Sequence, residues 1–192
     1  MSRWYDFSDS EFQFQELGRI RTLWQNVPDR EAINAIAEAY QYYDFLKTMI
    51  IERLQHWSHP PGKRLDWHKP SPLMLSARAG AVSSSIVVGA SIVECAMRAH
   101  AENRKMSKLM QKDPKHRTFG SVIHAWENHR VYSQEISAVL PDLKRIHGKR
   151  NDIHLYAIFG QSWEDIEADE QKLVNSLEKL INFFQQIRPA NV

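Results

Sequence analysis

Cysteine and glycine are scarce in this chain, and net charge is almost absent. Cys95 is the single cysteine among 192 residues, so no disulfide forms within the chain. A reducing, cytoplasmic compartment is the expected setting for such a sequence. The glycines number only seven and never gather into a phosphate loop. P-loop and dinucleotide-binding readings therefore fail, as does the serine hydrolase reading for want of Gly-x-Ser-x-Gly. A formal charge of +2 argues against a bulk polyelectrolyte binder, although nine histidines add positive charge in mild acid. No segment alternates as a strand does, and there is no internal repeat or low-complexity tract. The first residues, Met1 to Asp6, hold no apolar core of the kind a secretory leader needs.

Long hydrophobic runs are also lacking, with one near exception. Ala79 to Met97 is rich in small apolar residues but carries Ser83, Ser84, Ser85, Ser91 and Glu94. That polarity argues for a helix inside a bundle and against a membrane span, so no membrane partner is expected.

What remains is helical periodicity. The spacing predicts helices over about 9–25, 29–56, 76–110, 118–128, 133–156 and 162–188. Asp29 is the candidate N-cap of the second helix, after Pro28. His59-Pro60-Pro61-Gly62 stops it and opens a loop of about a dozen residues to Pro72. Asp113-Pro114 ends the third helix, and Pro141 and Gly148 are placed to bend or divide the fifth. Gly80 and Gly89 are positions where a helix loosens or admits a close neighbour. The expected architecture is an all-α antiparallel bundle forming one domain. Residues 1–72 make an N-terminal helical region and loop, packed on a main core of residues 73–192. Trp4, Tyr5, Phe7, Phe12 and Phe14 are expected to pack on the bundle, and Cys95 to lie in its core.

Chemistry concentrates in Lys144-Arg145-Ile146-His147-Gly148-Lys149-Arg150-Asn151-Asp152-Ile153-His154. On a helix, Arg150 and His154 fall four residues apart on one face. Arginine offers a planar fork of donors for phosphate oxygens. An imidazole beside it moves the proton that phosphodiester cleavage requires, with no cofactor. Lys144, Arg145, His147 and Lys149 would draw an RNA backbone toward the pair. A two-fold dimer would bring two such pairs to one cleft. Histidines 56, 59 and 68, and the pair His124 and His129, lack the ligand density of a zinc site, so no metal is expected. Lys63, Arg64, Trp67, His68 and Lys69 in the loop mix cations with an aromatic, a composition suited to single-stranded RNA or simply to solvent.

Arg150-Asn151 followed by His154, late in a helical bundle, resembles the signature of HEPN domains, a group of small all-α proteins. In that family an arginine and a polar residue precede a histidine after a variable spacer. Here only Asn151, Asp152 and Ile153 separate Arg150 from His154, fewer than in the family's commonest form. Ala90-Ser91-Ile92-Val93-Glu94 resembles the family's earlier helix with its acidic residue, and Phe119-Gly120-Ser121-Val122-Ile123 is similar in style. The resemblance implies a HEPN-like core and a metal-independent endoribonuclease, acting as a homodimeric toxin or antiviral defence effector. An antitoxin or another defence-system protein is then the implied partner. Arg150 would hold the scissile phosphate, His154 would serve as general acid or base, and Asn151 would orient them. Glu94 would support one of the pair from across the bundle. The alternative is a catalytically inactive HEPN-like module for dimerisation and protein or RNA binding.

Overall fold

The computed structural model describes residues 15–48, 72–152 and 170–190. Every regular element among these residues is helical, and none is a strand. The chain runs through α1 (Leu17–Leu23), α2 (Arg30–Phe45), α3 (Pro72–Asn103), α4 (Ser107–Met110), a 3-10 turn (Pro114–His116), α5 (Phe119–Glu127), α6 (Ser133–Ile136), α7 (Leu140–Asp152) and α8 (Glu170–Gln186). The all-α expectation therefore holds. The expected N-terminal aromatics, the loop to Pro72 with its histidines, and residues 153–169 lie outside the described residues.

Helix starts follow the capping chemistry of the sequence. Asp29 accepts a hydrogen bond from the Ala32 amide at 2.8 Å, which satisfies one of the free donors at the start of α2. Asp113 does the same for Lys115 at 3.0 Å, ahead of Pro114. Pro141 sits in the first turn of α7, where its missing N–H costs nothing. The expected helix over 133–156 is thereby divided into α6 and α7, while Gly148 is absorbed into α7 without a break.

One expected helix is shorter than its periodicity suggests. The 76–110 segment breaks after Asn103, because Lys105 adopts the left-handed conformation at φ 51°. Its amide donates to the Glu102 carbonyl at 2.9 Å, and the Met106 amide donates to the Ala101 carbonyl at 3.1 Å. This pair of bonds closes a left-handed helix C-cap with a lysine where glycine is usual. Met106 is then fully buried, anchoring the turn from its apolar side.

Helix α3 is the axis of the molecule, in contact with α2, α4, α5, α7 and α8. Ala79, Val82, Ile86, Ala90, Val93, Ala96 and Met97 are buried along it. From 79 to 103 it is long and apolar enough to cross a membrane by composition alone, yet much of that surface is taken up by neighbouring helices. Small residues let those neighbours come close. At Gly89 a Cβ would meet Leu177 at 2.9 Å and Tyr43 at 3.2 Å, so the glycine is where α2 and α8 converge on α3. Trp126 of α5 is fully buried and donates its indole N–H to the Met97 carbonyl at 3.1 Å. Leu173, Leu177, Leu180, Ile181 and Phe184 give α8 its buried stripe.

Candidate functional site

The C-terminal half of α7 carries Arg150 to the boundary between α3 and α5. Leu143 and Ile146 are buried and fix the rotation of α7, which leaves Arg150 at the edge of the same inward face. Its Nη1 donates to Glu94 Oε2 at 2.5 Å, joining α7 to α3. The two side chains keep 31% and 19% of their surface open to solvent. The guanidinium carbon also stands 5.8 Å from the centroid of Phe119, at the start of α5. The Glu94 position among small apolar residues thus has Arg150 as a partner, one of the two residues put forward for it.

The same corner holds His147. Its ring meets Phe119 edge to face, with centroids 5.6 Å apart and planes at 73°. At Gly120 a Cβ would fall 2.9 Å from His147 Nε2, so the glycine makes room for the imidazole. Asn151, one turn further along α7, places Nδ2 3.5 Å from the same nitrogen. Asn151 is otherwise exposed, and Arg150 and His147 are partly so.

The basic string of the sequence does not form one patch. Consecutive residues turn by about 100° around a helix, so neighbouring cations separate. Lys144 and His147 lie on the flank facing α5, where Lys144 pairs with Glu127 at 2.8 Å. Arg145 lies on the flank facing α8, donating to Ser176 at 2.9 Å and to Asp142 at 3.2 Å. Asp142 also accepts from Ser176 at 2.8 Å and from Lys179 at 2.7 Å. Burial pushes its carboxyl upward, but Lys179, Ser176 and Arg145 together hold it below its ordinary value. Arg145 is therefore part of an α7–α8 clasp, and Lys149 follows on that flank by helical spacing. Of the expected site, the structure gathers Glu94, His147, Arg150 and Asn151 in one corner. His154 lies outside the described residues.

Beyond Glu94, a cleft of about 440 Å³ opens between α2 and α3, lined by Asp29, Glu31, Glu94, Cys95, Arg98 and Glu102. Its carboxylates disfavour a phosphodiester, so an anion has its favourable approach to Arg150 from the α5 and α7 side. Cys95 is half-buried beside this cleft, a correction to its expected core position. Burial, then the Asp29 charge, push its thiol upward, away from thiolate chemistry. Among the described residues no cluster of histidines, cysteines and carboxylates has the makings of a metal site.

Two features of this region escape the sequence pattern. Phe119 and Gly120 shape the corner that holds Arg150 and His147, a role only tertiary contact defines. Arg104 is nearly buried, with its guanidinium carbon 4.6 Å from the Trp126 ring and 4.5 Å from that of Tyr132. It pairs with Glu135 at 2.8 Å and donates to the Arg188 carbonyl at 3.1 Å.

Comparison with protein-family models, with curated proteins and with solved structures finds no match to this chain.

Proposed function

We propose that this protein is a HEPN-like, metal-independent endoribonuclease, working as a cytoplasmic toxin or antiviral defence effector. The observation that supports the reading is the Arg150–Glu94 pair. A guanidinium has five N–H donors, and Glu94 engages Nη1, leaving a partly exposed fork for phosphate oxygens. Held this way from α3, Arg150 needs little reorganisation to stabilise charge on a phosphodiester. Asn151 stands on the same turn, and His154, supplied by the sequence motif, is the proposed general acid or base. A homodimer would face two such corners across one cleft, with an antitoxin or other defence-system protein as the natural partner.

The test is cleavage of total RNA and tRNA in EDTA by wild type, Arg150→Ala and His154→Ala. Cleavage by wild type alone, leaving 2′,3′-cyclic phosphate ends, is the expected result. Each variant should lose about 100-fold or more, the scale of general acid–base and electrostatic contributions. Undiminished cleavage by the purified double variant would sink the proposal.

The second reading is an inactive HEPN-like module that binds RNA or protein. It draws on the short Arg150-to-His154 spacer and on Lys144, Arg145 and Arg150 each already facing a carboxylate. RNA binding without cleavage by wild type would favour it.

A further inference from the structure

His147 is held more firmly than a solvated surface histidine needs to be. Phe119 packs against its ring edge to face at 5.6 Å. Gly120 yields the space that a Cβ would take, 2.9 Å from Nε2. Asn151 lies 3.5 Å from that same nitrogen. The ring is thus fixed by α5 on one side and by its own helix on the other. It also sits one turn before Arg150, and both groups pack within 6 Å of the Phe119 centroid. Among the described residues no group bonds Nδ1. Among the described residues the positioning contacts therefore fall on Nε2 and leave Nδ1 unoccupied.

We infer that His147 is the general acid at this site, protonating the leaving oxygen of the phosphodiester that Arg150 holds. The inference rests on the nuclease reading and assigns it a second imidazole, leaving the base to His154. With its amide oxygen turned to the ring, Asn151 accepts from Nε2–H of the imidazolium, and Nδ1–H is free to donate. The 2′-oxygen forms a bond to phosphorus as its proton passes to the base. The bond from phosphorus to the 5′-oxygen breaks, and its electron pair stays on that oxygen. The oxygen takes the Nδ1 proton, giving a 5′-hydroxyl and a 2′,3′-cyclic phosphate. Neutral His147 regains its proton from water.

A leaving group that needs no proton separates this role from a structural one. Wild type, His147→Gln and Gly120→Ala are compared on the dinucleotide UpA and on uridine 3′-(4-nitrophenyl phosphate). The expected loss in His147→Gln is about 100-fold on UpA, the scale of general acid catalysis, and less than about five-fold on the nitrophenyl ester. Gly120→Ala keeps the imidazole but pushes it aside, so it should lose about ten-fold or more on UpA and be similarly spared on the ester. Any partly unfolded fraction lowers both rates alike, so the ratio on one preparation is unaffected by folding. Equal losses on the two substrates, or no loss on UpA, would overturn the role of His147 while leaving the nuclease standing. A wild type inert on both substrates would overturn the nuclease reading and this assignment with it.

Discussion

His100 should make this protein acid-sensitive in a way one substitution removes. It is fully buried on α3, and neither ring nitrogen has a partner among the described residues. Burial, then the nearby Arg104 charge, pull its pKa down from 6.5 to about 4. The folded state therefore binds this proton more weakly than the unfolded chain does. The stability is fully present above the unfolded value and is lost as pH falls from about 6.5 toward 4. The shift corresponds to about 3 kcal/mol in total, of which about 2.5 kcal/mol is gone by pH 4.5. His100→Leu keeps a similar volume without a titratable group. Urea unfolding of wild type and His100→Leu at pH 7 and pH 4.5 gives the double difference, which cancels the carboxylates they share. Wild type should lose about 2.5 kcal/mol more than the variant over that interval. At pH 7 the variant should match or exceed wild type, because an unpartnered buried polar group costs about 1–3 kcal/mol. Parallel losses in the two proteins would refute the argument, since His100 would then carry no linkage.

Two glycines should respond oppositely to the same substitution. Gly89→Ala drives a methyl into Leu177 and Tyr43 and should cost about 1–3 kcal/mol by overpacking, whereas Gly148→Ala meets nothing within 4 Å and should gain about 1 kcal/mol from helix propensity. Thermal or urea melts check the pair, and a shared sign would contradict the packing. Lys105→Gly should stabilise by about 1 kcal/mol, because the left-handed turn penalises a side chain there. A destabilised Lys105→Gly in the same melts would mean that the lysine side chain contributes more than its backbone costs.

Local chemistry was the legible part of the fold. Asp29 announces a helix start, Asp113-Pro114 a stop and Pro141 a division, because capping and proline geometry act within a few residues. The end of α3 was not legible, since Lys105 takes a conformation that sequence normally signals with glycine. At the site, Glu94 stood out because a carboxylate among small apolar residues requires a partner. The split of Lys144 from Arg145 was hidden, because neighbours in sequence point to different flanks once the helix forms. The seating of His147 over Gly120 was hidden for another reason: close approach between α5 and α7 is a property of packing, not of either segment alone.

Arg104 ties together parts of the chain that would otherwise loosen separately. Its guanidinium lies between Trp126 and Tyr132, pairs with Glu135 and takes the Arg188 carbonyl. Its neighbour Asn103 accepts from the Ala190 amide at 3.0 Å, and Asn26 donates to the Gln185 carbonyl at 2.8 Å. Fraying at 185–190 therefore strips contacts from a buried cation, and loss of that cation's seat uncovers α6. In hydrogen-exchange terms, the end of α3, the α6 turn and residues 185–190 become one opening unit with a shared free energy.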